Sequence, residues 1–387
     1  LHTMADHGIN VSRADTAVAT PNAATCGIPF VIGTAPLSKA TGTAATAGTP
    51  VLCTSYTEAV EQLGYDDDWK KFTVCEVMYY HFKLCACQPV IFLPLAENAE
   101  AEAVAAAVEQ VEACLTMFGI VPDLIMAPGF SNEATVAAAL AAKAGSINGM
   151  FSGKALVDIS AKTYTAAVEA KNAGTYDQKS ILCWPNGTLG ELKFHGSTVM
   201  AGCLAETDTN NGGIPYESPS NKTVHIDGLC DDDGAAINLT YNQANVVDAA
   251  GICTFLNFMG SWTAWGNHTG CYPKSTDVKD YFIPISRMFD YVSNTLIKTF
   301  WSKLDKPMNR RLIDTILDSA NIWLNGLVGA GYLLGARVEM LESENPLTSL
   351  MAGKIKLHIY MTPPSPAQEI DFVLEYDADY VTRALQS

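Results

Sequence analysis

Residues 89–127 read PVIFLPLAENAEAEAVAAAVEQVEACLTMFGIVPDLIMA. The stretch opens on an apolar run, Pro89 to Pro94, with the length and composition of a buried strand. It continues into Glu100 to Phe118, where Val104, Val108, Val111, Leu115 and Phe118 recur at spacings of three and four, the stripe of an amphipathic helix. Gly119 can close that helix in the left-handed region, and Asp123 to Ala127 is the next buried run. The unit then repeats. A helix is expected from Asn132 to Lys143 behind Ser131 as its cap, then a strand at Ala155 to Asp158. A helix near Thr163 to Lys171 and a strand at Ser180 to Trp184 follow. Strands alternating with helices imply a parallel α/β sheet covered on both faces.

The flanks differ in character. Residues 26–88 mix strand signals, Ile28 to Thr34 and Pro50 to Thr54, with helices at Tyr56 to Leu63 and Trp69 to Cys85. Residues 1–25 form an N-terminal arm in which His7 to Arg13 alternates and sets Ile9 and Val11 on one side. Leu1 to Thr3 read as a remnant ahead of a natural start at Met4. Residues 187–275 are rich in Gly, Asn, Asp and Ser and form the loop-rich second half of an 89–275 α/β domain. A C-terminal α+β domain, 276–362, carries two long striped helices, Pro284 to Leu304 and Asn309 to Val328, then strands at Tyr332 to Leu341 and Gly353 to Met361.

Residues 363–387 are a tether and a strand. Thr362-Pro-Pro-Ser-Pro366 is stiff and extended, because proline fixes φ and lacks a donor. In the EIDFVLEY that follows, Ile370, Phe372, Leu374 and Tyr376 share one face. A sticky strand on a stiff arm can pair with its own body or with a neighbour's sheet edge.

Composition excludes several classes. With 48% hydrophobic and 17% charged residues the chain is globular, and a net charge of −17 argues against nucleic acid as a direct partner. The charge is uneven: residues 1–274 hold 27 acids and 13 bases, residues 275–387 hold 14 and 11. The near-neutral C-terminal third tolerates packing against other chains better than the rest. No apolar run is long enough to predict insertion in a membrane. The eleven cysteines are scattered, with Cys85-Ala-Cys87 the one close pair and no zinc-type spacing. Their odd number and the absence of a signal peptide predict reduced, mostly buried thiols made in a cytosol.

Catalytic signals are weak. No phosphate-binding glycine loop appears, and Gly129-Phe-Ser131-Asn-Glu133 lacks the second glycine of a nucleophile elbow. The histidines, His2, His7, His81, His195, His225, His268 and His358, are dispersed. Asp231-Asp-Asp-Gly234 lacks the ligand alternation of a calcium loop and reads as a solvated turn. Asp158 can cap the loop after its strand. No catalytic residue, metal or cofactor is expected. The rival is an α/β hydrolase-like enzyme with an unrecognised site at Ser131 or Asp158.

Three segments in the second half resemble the contractile phage tail sheath proteins. They are Thr198 to Asp208 continuing through Gly213-Ile-Pro-Tyr-Glu-Ser-Pro-Ser-Asn-Lys222, Trp265-Gly-Asn-His-Thr269 with Tyr281 to Arg287, and Asn345-Pro346 to the terminal strand. His7 to Val11 is similar to the family's N-terminal arm. His268, Glu206 and Ser286 stand where the family commonly carries arginine; Arg287 is retained as a structural charge. The resemblance implies a subunit, in a phage tail, a tailocin or a related injection particle, that polymerises as stacked rings around an inner tube. Both arms add strands to neighbouring subunits, and contraction drives the tube through a cell envelope. It implies a subtilisin-like α/β domain without the protease site. It also implies baseplate and tail terminator partners, and a virion tail assembled in the bacterial cytoplasm.

The residues carry the same expectation. Ile355, Leu357 and Ile359 alternate with Lys354, Lys356 and His358, while Ile370, Phe372 and Leu374 alternate with Glu369, Asp371 and Glu375. Sharing a sheet would bury one face and set bases against acids on the other. Each cross-strand pair is worth only about 0.2–1 kcal/mol, enough to select register.

Overall fold

Strand β1 (Pro29–Thr34) is six buried residues long. In the computed structural model, which describes residues 22–87 and 89–385, it lies inside a six-stranded sheet. The other strands are β2 (Val51–Cys53), β3 (Val90–Leu95), β4 (Leu124–Met126), β5 (Lys154–Asp158) and β6 (Ser180–Cys183), in the order β2-β3-β1-β4-β5-β6. Every pairing is parallel except β2 with β3. Successive side chains enter opposite cores: Phe30, Ile32, Ile91 and Val157 on one side, Val31, Phe92, Met126 and Leu156 on the other. The expected boundary near residue 88 therefore falls inside one sheet, because β1 sits between β3 and β4.

Helix α1 (Tyr56–Leu63) keeps its expected bounds, since the Ser55 side chain accepts from Glu58 N and Gly64 follows at φ 75°. The helix expected at 69–85 begins later, as α2 (Val74–Tyr79), and ends in a π-turn over Tyr80–Leu84. A turn in which Asp66 Oδ1 accepts from Asp68 N occupies the chain before it. The helix expected at 100–118 is two pieces, α3 (Ala101–Ala107) and α4 (Ala113–Phe118), joined by a 3-10 turn, with Gly119 left-handed at φ 70°. Helices α5 (Ala134–Gly145) and α6 (Tyr164–Ala173) complete the covering of the sheet.

The loop-rich half contains an antiparallel sheet in the order β10-β9-β7-β8, from β7 (Asn186–Leu189), β8 (Leu192–Phe194), β9 (Gly228–Cys230) and β10 (Ala236–Ile237). Between them runs α7 (Gly196–Asn210), buried over most of its length. Helix α8 (Tyr241–Ala249) precedes the hairpin β11 (Thr254–Phe258) and β12 (Ser261–Trp265), which carries the aromatic run of the sequence. Phe255, Leu256 and Ala264 are buried there, while Phe258 and Met259 at the tip are exposed.

After α9 (Val278–Tyr281) come the long helices α10 (Ile283–Phe300) and α11 (Arg310–Gly329), whose stripes meet in a third core of Met288, Val292, Ala320, Leu324 and Leu327. Strand β13 (Gly335–Glu339), helix α12 (Leu347–Met351) and strand β14 (His358–Thr362) follow, β14 antiparallel to β13. The strand expected at 353–361 starts only at His358. The Asn345 side chain takes both backbone groups of Lys356, at 2.7 and 2.8 Å, so Ile355 and Leu357 precede the ladder. The described residues end in α13 (Ala378–Leu385), which the alternating pattern before it does not announce. No helix among the described residues is long and apolar enough to cross a membrane.

Candidate functional site

The proline tether leaves β14 and crosses a groove of about 630 Å³ lined by Tyr216, Glu217, Ser220, Lys222, Asp248 and Trp265. Its anchor is Gln368. The Gln368 amide Nε2 donates to Asn267 Oδ1 at 2.8 Å and lies 3.0 Å from His268 Nε2. His268 Nδ1 is 2.9 Å from Asp248 Oδ1, so a proton on Nδ1 donates to the carboxylate and leaves the Nε2 lone pair for the amide. The ring is held flat against Tyr272, 3.9 Å between centroids at 6°.

Beyond Gln368 the residues up to Tyr376 are exposed. Residues 369–376 join no sheet in the described chain. Ile370 is 70% exposed, Phe372 85%, Leu374 96% and Tyr376 80%. Ile359 pairs with Val338 inside the β13–β14 sheet, and β14 has one unpaired edge among the described residues. Lys356 Nζ and His358 Nδ1 both lie 3.2 Å from Glu344, so within one chain these bases face Glu344. Ile9 and Val11 lie outside the described residues.

Arg287 on α10 is buried between two carboxylates. Its Nη2 donates to Asp123 Oδ2 at 2.6 Å and to Asp208 Oδ2 at 2.5 Å, and Nη1 donates to Asp208 Oδ1 at 3.1 Å. Asp123 Oδ1 accepts from Ile28 N at 2.9 Å. One guanidinium thus joins α10, α7 and the start of the main sheet. Burial pushes the Asp208 carboxyl up to about 6, against the pull of Arg287. Nearby, Lys154 Nζ on β5 donates to Ser286 Oγ at 2.5 Å and pairs with Asp290 at 3.1 Å.

At the carboxyl ends of the parallel strands lies a cavity of about 430 Å³ that includes Glu76, Asp158, His195 and Asp232 in its lining. Ser131 is not the cap expected of it, because α5 starts behind Glu133. Its hydroxyl donates to Asp158 Oδ2 at 2.8 Å and accepts from Asp158 N at 3.0 Å. Asp158 also accepts from Ser197 N at 2.7 Å and Ser197 Oγ at 2.6 Å, tying a strand end to the first turn of α7. His195 Nδ1 faces Glu76 Oε2 at 2.9 Å. Burial disfavours its charged form, yet Glu76, Asp158 and Asp232 raise its pKa to about 9. Both serine hydroxyls are committed to a carboxylate, and the imidazole to another. The Ser131 and Ser197 hydroxyls share the one Asp158 carboxylate, which Ser197 N also occupies, while His195 faces Glu76, so these contacts do not form a serine–histidine–carboxylate relay. The Asp231–Asp233 turn is tied down more than a solvated turn: Asp232 accepts from Ser160 Oγ at 2.5 Å and Asp233 pairs with Lys162 at 2.8 Å.

The sequence reading did not find the histidine–carboxylate pairs Glu76–His195, Glu206–His225, Asp248–His268 and Glu344–His358, whose partners are distant along the chain. The three departures from the family pattern each have a local partner here: Glu206 has His225, His268 has Asp248, and Ser286 has Lys154. All eleven cysteines are buried free thiols.

No protein-family model matches the chain. A putative prophage major tail sheath protein of Pseudomonas aeruginosa is 26% identical over 98% of this chain and 98% of its own length. The tail sheath protein of Burkholderia phage BcepMu is 25% identical over 68% of this chain, a match that spans 57% of that relative. Among solved structures, the anti-feeding prophage helical sheath in its contracted state superposes with a TM-score of 0.70 at 17% identity, covering 97% of this chain and 100% of that one. The sheath complex of the extracellular contractile injection system PVC, also contracted, gives 0.69 at 16% identity, with 98% and 100% covered. These relatives are structural sheath proteins, and nothing among them favours a hydrolase. The chain is thus similar from end to end to a tail sheath protein, and its mixed α/β fold is that of the sheath subunits of phage-like contractile injection particles.

Proposed function

We propose that this chain is a subunit of a contractile tail sheath and is joined to its neighbours by donated strands. The supporting observation is the exposed stripe Ile370, Phe372, Leu374 and Tyr376 beyond an arm fixed at Gln368. In this reading residues 363–387 form the donated arm, and the recipient is the free edge of β14 in another copy, where Ile355, Leu357 and Ile359 offer the complementary apolar face. The 1–25 arm, with Ile9 and Val11, adds a second strand. Burying each large side chain contributes about 1.5–3 kcal/mol and each backbone hydrogen bond about 1 kcal/mol, offset by the cost of ordering the arm. A strand mesh of this kind keeps subunits connected while their bodies rotate between two packings.

The subunits stack around an inner tube, with the 276–362 domain innermost and the subtilisin-like 26–275 body outside it. They abut baseplate and terminator proteins, make no direct contact with nucleic acid or membrane, and assemble in the bacterial cytoplasm. Arg287 holds the inner domain to the outer body throughout. The test removes residues 364–387. The expected product is a soluble body with an unchanged thermal melt that forms no ringed tubes by negative-stain microscopy, while the full chain does. Normal tubes from the truncated chain would overturn the donated-arm reading.

A further inference from the structure

We propose that Cys85, Glu206 and His225 form a binding site for a zinc-class divalent cation. The three residues come from distant segments: the end of the π-turn after α2, the third turn of α7, and the loop before β9. Their ligand atoms, Cys85 Sγ, a Glu206 carboxylate oxygen and a His225 imidazole nitrogen, all lie within 4.8 Å of one another. His225 Nε2 and Glu206 Oε2 are already 3.2 Å apart. Metal bonds of about 2.0–2.3 Å at tetrahedral angles put ligand atoms roughly 3.3–3.8 Å apart, so side-chain rotation of about 1 Å closes the set.

The surroundings fit a site of this kind. The Cys85 sulfur is seated against Gly202 of α7, where a Cβ would stand 2.8 Å from it. Glu206 follows one turn later on the same face of that helix. His225 is oriented by Tyr80, whose hydroxyl accepts from His225 N at 3.1 Å and whose ring meets the imidazole edge-on. A cavity of about 220 Å³ lined by Cys203, Glu206, Asn210 and Thr223 reaches the Glu206 ligand. A thiolate, a carboxylate and a neutral imidazole cancel the charge of a divalent ion. The soft sulfur and nitrogen donors select zinc or cobalt over magnesium or calcium. Binding displaces the Cys85 proton to solvent, so one proton is released per ion.

The experiment titrates the full chain, purified without a histidine tag, with Zn²⁺ by calorimetry and with Co²⁺ by absorbance. The expected result is one ion per chain, a thiolate-to-cobalt charge-transfer band, and no competition from a large excess of Mg²⁺. Cys85→Ser should abolish the band, and His225→Gln and Glu206→Gln should each weaken binding at least tenfold. The latter two positions are partly exposed, so these variants test the site even if Cys85→Ser does not fold. No saturable binding, or binding and a band that persist in His225→Gln, would overturn the proposal.

Discussion

Gln368 places its amide nitrogen 3.0 Å from the Nε2 of His268, a ring fixed on its other side by Asp248. The contact divides the C-terminus into a part that belongs to the body and a part that does not. Before it, the tether forms one wall of a groove; after it, residues 369–376 are exposed. Gln368→Ala should therefore leave the body stable to within about 1.5 kcal/mol, the net worth of one or two hydrogen bonds. It should raise amide exchange across 363–370 and lower the yield of tubes. Unchanged exchange in that segment would mean that the anchor lies elsewhere.

Arg287 pairs with both Asp123 and Asp208 in a buried cluster. Removing one partner from such a cluster strands the others, at a cost of about 3–5 kcal/mol. Arg287→Met should lower the urea midpoint accordingly. Adding Asp123→Asn and Asp208→Asn to it should restore much of the loss, because the stranded charge is then gone. A single variant as stable as the parent would show that the cluster is not a structural tie.

These two cases show what was legible in the sequence. The parallel sheet and the striped helices α10 and α11 were, because period and burial coincide at Met288, Val292, Leu324 and Leu327. Helix α1 was, because Ser55 and Gly64 punctuate it locally. Ser131 was misread because its true partner, Asp158, is supplied by the next strand of the sheet rather than by the following helix. The late start of β14 was hidden for the same reason, since the Asn345 side chain decides it. The stripe Ile370, Phe372, Leu374 and Tyr376 is written in the sequence, but the contact that precedes it is not, since Gln368 meets His268 only through folding.

Two histidines should shape stability in opposite directions. His195 is raised to about 9, so its contribution is fully present below pH 6.5 and is lost as pH rises towards 9. His81 is buried with both ring nitrogens unpartnered, and burial holds it down to about 4, so stability falls as pH drops from 6.5 towards 4. Each limb is worth on the order of 1–3 kcal/mol. Urea midpoints measured from pH 4 to 9 should flatten on the alkaline side in His195→Gln and on the acid side in His81→Leu. A variant that alters the wrong limb would refute the assignment.

Phe372 is 85% exposed in the single chain, and Val373, on the opposite face, 92%. Monomer stability therefore cannot depend on either, and substitutions there should leave the thermal melt unchanged. Assembly separates them. If the arm pairs as a strand with Ile370, Phe372, Leu374 and Tyr376 inward, Phe372→Asp removes about 1.5–3 kcal/mol of burial and sets a carboxylate on the apolar face. Since about 1.4 kcal/mol is tenfold in an equilibrium constant, the concentration needed for tube formation should rise at least tenfold. Asp371→Asn, on the outward face, should change it little. Measured by sedimentation of polymer against subunit concentration, equal effects of the two substitutions would mean that the arm does not dock by that face. No effect of either would mean that it does not dock at all.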